Sequence, residues 1–291
     1  MTVPGVYPAM TEFARLTWGL TDADLEIAWE WQDYQEGVRF SFFRNYETLR
    51  ELVVRLAAER LSLGQASTSA QRILAQYHAA FRDLQAVLLG YDAARLEQVP
   101  AEGEWSARQA LDHMIRAERN FYFMVHFALQ DARSGDGRLT EATEAMWDEF
   151  WQGDPYSGLR DAGSPQDMLA YYEKLHTRIL DEFVDISEAE LDAPAVFWEN
   201  QPYPIRFRLH RFDSHLRQHT IQIEKTLLAI GGPLNEARRL LRLIFAALAE
   251  AEGVVLGTRV GEDACRLLAS EMTERTTQVA QALAGPKPDV S

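Results

Sequence analysis

The feature that most constrains the fold is a 3.6-residue hydrophobic period that recurs in nearly every long segment of the 291-residue chain. Apolar residues spaced three and four apart form one stripe along a helix, whereas the alternation typical of strands is scarce here. Four segments carry clear stripes and form the predicted core helices: residues 74–88, 106–130, 165–183 and 205–230. The pattern therefore predicts an all-α protein.

Capping signals mark the ends of the core helices. Ser106 with Gln109 three residues later is a capping box, and Ser164 followed by Pro165 places a capping residue before a first-turn proline. Two glycines and Pro233 end the fourth core helix. After an irregular start, further helices are predicted over about residues 21–36, 43–63, 235–251 and 261–283.

Linker-like segments divide the chain into three parts. The stretch GQASTS, residues 64–69, has the composition of a linker. We expect an N-terminal helical extension (1–65), a central helical domain (66–233) and a C-terminal helical extension (234–291). Between the second and third core helices, residues 131–163 form a long connection with several aromatic residues, predicted to hold a short helix over an opening. Connections of this length inside a compact domain are commonly functional.

Charge and cysteine content exclude several classes of partner. The chain has 29 basic and 44 acidic residues, a formal charge of −15, so its surface repels phosphate backbones and anionic lipid headgroups. We therefore expect no nucleic acid and no membrane as partner. Cys265 is the one cysteine, which leaves no intrachain disulfide and suits a reducing compartment. With neither a signal-peptide pattern nor a long apolar run, the sequence predicts a cytoplasmic protein.

Two histidines interrupt the apolar stripe of the fourth core helix. His219 lies between Leu216 and Ile223, where the period calls for an apolar residue, so its side chain is predicted to face the core. His215 lies one turn earlier and about 40° around the helix, so both imidazoles project from the same face. This spacing allows both rings to bind one metal ion.

A third histidine lies on the second core helix. His113 stands at the edge of its apolar arc beside Ala110 and Ala117, whose small side chains leave room for an ion and a substrate. Three neutral imidazoles bind zinc at roughly 2.0 to 2.1 Å and leave a fourth position for water. Nickel and ferrous iron accept the same ligands. Spacing alone leaves two interpretations open, a metal site or hydrogen-bonded core histidines.

Two stretches of the sequence together form a longer motif. They read Trp105-Ser106-x-Arg108-x-x-x-x-His113-x-x-x-x-Glu118 and, about a hundred residues later, His215-x-x-x-His219. Over roughly residues 70–232 the chain thereby resembles the DinB-like (DinB/YfiT) superfamily. The resemblance implies a four-helix bundle, here with additional N-terminal and C-terminal helices. It also implies a metal ion held by His113 of the second helix and by His215 and His219 of the fourth. The three imidazole ligands make a divalent ion, with zinc preferred, the expected cofactor.

The resemblance also indicates a class of reaction. The superfamily includes transferases and isomerases that use low-molecular-weight thiols such as mycothiol, bacillithiol or glutathione, which implies a thiol cosubstrate and a small-molecule substrate. Hydrolysis by an activated water is the other reaction that suits a three-histidine site. The competing hypothesis is a non-catalytic helical dimer or interaction protein with a structural metal or none. A shell of four protein ligands favours that hypothesis, and an open position facing a cavity favours catalysis.

The remaining polar candidates rank below these three. His176, beside the stripe of the third core helix, is the rival ligand. Glu118 and Glu224 are predicted to be solvated, with the alternative that each accepts an imidazole N–H from a metal ligand. Cys265 has no neighbouring signal for activation and is predicted to be an inert thiol. The other histidines are predicted to be solvated: His78, His126 and His210.

Overall fold

The computed structural model describes Val3, residues 5–197 and residues 201–285. These residues form thirteen α-helices and two small antiparallel hairpins. The helices are α1 (Val6–Thr17), α2 (Asp22–Leu25), α3 (Arg39–Ser62), α4 (Ser69–Leu88), α5 (Ala93–Glu97), α6 (Ala107–Ser134), α7 (Glu144–Phe150), α8 (Tyr156–Ala162), α9 (Pro165–Phe183), α10 (Glu188–Leu191), α11 (Ile205–Ala229), α12 (Glu236–Val254) and α13 (Glu262–Ala284). The strands are β1 (Ala28–Trp31), β2 (Tyr34–Gly37), β3 (Pro194–Ala195) and β4 (Tyr203–Pro204). The predicted all-α class is confirmed.

The first of two compact units combines both ends of the sequence. It comprises the described residues of 1–66, 85–90 and 233–291. Within it α3 packs along α12, and α1 packs along α13. Its apolar core includes Phe13 and Phe42, whose ring centroids lie 5.0 Å apart in a T-shaped pair. The apolar faces of the terminal segments are thus buried against each other.

The start of the chain is more regular than predicted. The segment expected to be irregular forms helix α1, whose buried residues Val6, Met10 and Phe13 follow the helical spacing. Pro8 lies in the first turn, where a missing N–H costs no intrahelical hydrogen bond. Gly5 and Pro8 obscure this stripe in the sequence, and the prediction of an irregular start is wrong.

A hairpin replaces most of the helix predicted over residues 21–36. The Thr21 capping box is present as predicted, but the helix that it opens ends at Leu25. Strands β1 and β2 follow, and Trp31 pairs with Tyr34 next to the two-residue turn. Aromatic residues favour strands, and Gln32 at φ +53° supplies the left-handed conformation that a tight turn needs.

The second unit is built on the four predicted core helices. It comprises residues 67–84 and the described residues of 91–232. Phe212 of α11 is a shared centre, because its ring contacts Tyr77 of α4, Phe121 of α6 and Phe183 of α9 at centroid distances of 5.2, 5.5 and 6.5 Å. The four long helices therefore enclose one aromatic core.

Capping boxes set the start of two of these helices. The Ser106 hydroxyl accepts the Gln109 N–H at 3.1 Å, and α6 begins at Ala107. The Ser164 hydroxyl likewise accepts a backbone N–H, and α9 begins at Pro165. Both starts were predicted to the residue, because a capping side chain satisfies orphan N–H groups by purely local contacts.

The long connection between α6 and α9 packs on α6 through aromatic rings. It forms two short helices, α7 and α8, where one was predicted. Trp147 lies 5.2 Å from Phe123, and the Arg119 guanidinium lies 4.2 Å from the ring centroid of Trp151. Both tryptophans of the connection therefore have packing partners. No helix within the described part of the chain is long and apolar enough to cross a membrane.

Candidate metal centre

The close packing of α6 against α11 brings the three predicted histidines together. His113 extends from α6, and His215 and His219 extend from successive turns of α11. One ligand atom of each ring can be chosen so that all three lie within 4.8 Å of one another. The Nε2 atoms of His113 and His215 are 3.2 Å apart. The three histidines singled out in the sequence thus lie together in the structure.

The cluster is buried at His215 and His219 and partly exposed at His113. His215 and His219 are each 7% exposed, whereas His113 is only partly buried. The Trp105 ring lies 5.2 Å from the His113 ring and is itself 41% exposed. A small molecule would therefore reach the cluster from the side of Trp105 and His113.

A hydrogen bond fixes the orientation of His219. Its Nδ1 lies 2.7 Å from the side-chain oxygen of Gln222, one turn later on α11. An amide oxygen only accepts, so Nδ1 carries the proton and Nε2 keeps a free lone pair. The buried Nδ1 of His215 has no hydrogen-bond partner among the described residues. This orientation of His219 is the one that metal-binding histidines use, with the second ring nitrogen bonded to an outer acceptor.

The environment favours the uncharged form of two of the imidazoles, His215 and His113. Burial lowers the pKa of His215 to about 3, with further contributions from the neighbouring His219 and His113. Burial also lowers the pKa of His113, and His219 adds to that shift. Neutral rings retain the lone pairs that a metal ion requires, so protons compete weakly for these two ligands near pH 7.

The donor set fits a divalent metal of borderline softness. Ligand atoms about 2.05 Å from a tetrahedral ion are separated from one another by about 3.3 Å. The distance between the Nε2 atoms of His113 and His215, 3.2 Å, is close to this value. Within the described residues, no fourth histidine, cysteine or carboxylate joins the group. Three imidazoles suit zinc, nickel or ferrous iron, and they would leave a coordination position free.

The rival His176 does not join this cluster. It is buried in the second unit, where its ring stacks on Phe81 at 4.1 Å and its Nε2 lies 2.9 Å from Nδ1 of His78. His78 was predicted to be solvated, and this is wrong because it faces α9 rather than water. His126 is partly buried and hydrogen-bonded to Glu182, again unlike the prediction, whereas His210 is exposed as predicted.

Glu118 was predicted to be solvated, which is wrong. It is fully buried and accepts hydrogen bonds from the hydroxyls of Tyr77 and Tyr172, which come from α4 and α9. Burial raises the pKa of Glu118 to about 8, against the lowering effect of the two tyrosines. A signal was present in the sequence, because position 118 follows Met114 by four residues on the apolar stripe.

Two further polar candidates are not members of the three-histidine group. Glu224 is partly buried rather than fully solvated. Cys265 is buried in the first unit, and burial raises the pKa of its thiol to about 11. A thiol with so high a pKa is almost entirely protonated at neutral pH, which agrees with the predicted inert role.

Comparison with known proteins gives one match. The family model described as the DinB superfamily matches residues 76–223, just over half of the chain. The matched segment contains all three clustered histidines and Glu118. No curated protein and no solved structure matches the chain significantly.

Proposed function

The chain belongs to the DinB superfamily, and from this premise we propose that His113, His215 and His219 hold one catalytic divalent metal ion. The observation that carries the proposal is the convergence of three imidazoles, with ligand atoms within 4.8 Å of one another and with His113 only partly buried. Zinc is the preferred ion, since it favours nitrogen ligands in tetrahedral sites.

The three histidines would divide the work of binding. His215 and His219 would be the buried ligands, since both are 7% exposed and lie one turn apart on α11. His113 closes the site from α6 and borders the opening. A divalent metal ion at these ligands acts as a Lewis acid that lowers the pKa of a thiol or a water towards neutrality. Trp105 would border the approaching substrate.

The reaction that we propose is a thiol-dependent transfer or isomerisation with a low-molecular-weight thiol cosubstrate. The support for it is the resemblance to the superfamily, which the matched residues 76–223 strengthen. Three protein ligands and an open side also favour catalysis over a structural metal, because structural sites are closed by four protein ligands. Hydrolysis remains the alternative for the same centre.

Metal removal tests the proposal directly. Elemental analysis of the purified protein is expected to find about one divalent metal per chain. Conjugation of chlorodinitrobenzene with mycothiol, bacillithiol or glutathione is expected to disappear after chelation and to return when zinc is added. Ester hydrolysis measured in parallel, without thiol, tests the alternative reaction. If the metal-free protein, freed of chelator, binds neither zinc, nickel nor ferrous iron in calorimetry, the metal centre itself is refuted.

Gln222 offers a test that needs no knowledge of the substrate. Replacing it with leucine removes the acceptor for the Nδ1 proton of His219 at 2.7 Å. We expect metal affinity to fall by about 10- to 100-fold, as it does when such outer partners are lost. Gln218→Leu is the matched control, because Gln218 is exposed on the same helix. Equal metal dissociation constants for the two variants would contradict this role of Gln222.

A further inference from the structure

A polar cavity lies in the first unit, outside the segment that the family model matches. It has a volume of about 490 Å³ and lies where the β1 hairpin meets α3 and α13. Its charged and aromatic lining consists of Glu30, Trp31, Glu271, Glu274 and Arg275. The volume falls in the range of cavities that hold small molecules.

Arg275 is a buried cation that has no ion-pair partner in the part of the chain that the structure describes. Its side chain, on α13, is 6% exposed, and its one hydrogen bond runs from Nη1 to the side-chain oxygen of Asn45. No carboxylate of the described residues forms an ion pair with it. Burial lowers the pKa of its guanidinium, although Glu271 attracts the charge from a distance. A buried guanidinium has five N–H donors, so the cavity presents unused donors suited to a planar oxyanion.

Polar atoms behind Arg275 are also unsatisfied. Asn45 is fully buried, and its amide nitrogen has no partner among the described residues. Neighbouring Arg44 lies over the Trp31 ring at 4.3 Å and leaves its own Nε without a partner. Neither Asn45 nor Arg44 lines the cavity, so these orphan donors show only that the buried polar groups around Arg275 are incompletely paired.

The other charged residues of the lining would repel a ligand that carries only negative charge. Glu30, Glu271 and Glu274 are exposed residues that together outweigh Arg275, so the lining has a net charge of −2. An isolated carboxylate or phosphate would be attracted by one cation and repelled by three anions. A ligand with one carboxylate and two cationic nitrogens satisfies both signs, and Trp31 offers apolar surface to its hydrocarbon chain.

We propose that this cavity binds a basic α-amino acid, with its carboxylate on Arg275 and its two cationic nitrogens among Glu30, Glu271 and Glu274. The site is separate from the histidine cluster and does not depend on the metal. It gives the first unit a ligand-binding role of its own.

Calorimetry with the full chain and three probes of related shape tests the proposal. L-lysine is expected to bind, 1,5-diaminopentane, which lacks the carboxylate, at least about tenfold more weakly, and hexanoate not at all. Absence of L-lysine binding, or stronger binding of hexanoate than of L-lysine, would overturn the proposal.

Variants locate the binding to this cavity. The double variant Glu271→Gln with Glu274→Gln changes two exposed side chains, so it should fold normally and bind L-lysine at least about tenfold more weakly. Glu262→Gln, at the start of the same helix and outside the cavity, is the control and should leave binding unchanged. Arg275→Met, where it folds, should bind L-lysine and 1,5-diaminopentane with equal affinity. Unchanged L-lysine binding in the double variant would place the ligand elsewhere and refute the site.

Discussion

The His219→Ala variant is expected to bind a divalent metal more than about 100-fold more weakly than the unaltered protein, and to lose its metal-dependent activity. Removal of a ligand costs more than the 10- to 100-fold that loss of an outer hydrogen-bond partner costs. The two remaining ligands, His113 and His215, whose Nε2 atoms are 3.2 Å apart, would form an incomplete site. Calorimetric titration of the metal-free variant and of the metal-free unaltered protein with zinc measures the change in dissociation constant.

A matched variant separates ligand loss from damage to the helix. His210→Ala removes an exposed imidazole from the same helix α11, so it should leave both metal affinity and activity unchanged. Circular dichroism of the two metal-free variants is expected to show equal helix content, because alanine has the highest helix propensity. A His219→Ala protein that binds zinc as tightly as His210→Ala would end the assignment of His219 as a ligand.

The histidine cluster was predictable because helical periodicity carries three-dimensional information. The apolar stripe of α11 placed His215 and His219 on the buried face, and the structure leaves each of them 7% exposed. The stripe of α6 placed His113 at its edge, and that ring is partly exposed. Periodicity specifies a face on each helix but not which helix faces which. The pairing of α6 with α11 came from the resemblance rather than from the residues themselves.

Predictions failed where contacts distant in sequence decide the environment. His78 and His176 lie on different helices, α4 and α9, and their hydrogen bond of 2.9 Å forms only after those helices pack. The hairpin of β1 and β2 replaced a predicted helix because its aromatic residues and tight turn outweighed the capping signal at Thr21. Local patterns specify helix starts well but not the partners of a buried polar group.

Burial of the Glu118 carboxyl makes the stability of the folded protein depend on pH. The carboxyl is fully buried, and burial raises its pKa from 4.5 to about 8. The unfolded chain loses the proton near the lower value and the folded chain near the higher one. Between these values the folded state binds more protons, so the stability contributed by Glu118 is present at low pH and declines as pH rises.

The Glu118→Gln variant is expected to lose this pH dependence. A glutamine is neutral at all pH values and can still accept from one tyrosine hydroxyl and donate to the other, as a protonated carboxyl does. Each unit of pKa shift corresponds to about 1.4 kcal/mol. The variant should therefore gain up to a few kcal/mol relative to the unaltered protein between about pH 5 and pH 8. Urea unfolding of both metal-free proteins across this range measures the difference in free energy.

The difference between the two proteins is the informative quantity, because other groups titrate as well. The buried histidines make the opposite contribution, since a pKa near 3 for His215 destabilises the folded state as pH falls below the unfolded value of 6.5. That contribution is common to both proteins and cancels. Glu149→Gln, which changes an exposed carboxyl on α7, should show no pH-dependent difference. The outcome that contradicts the prediction is a difference in unfolding free energy between Glu118→Gln and the unaltered protein that stays constant from about pH 5 to about pH 8. Glu118 would then be ionised in the folded protein, with the two tyrosine hydroxyls compensating for its burial.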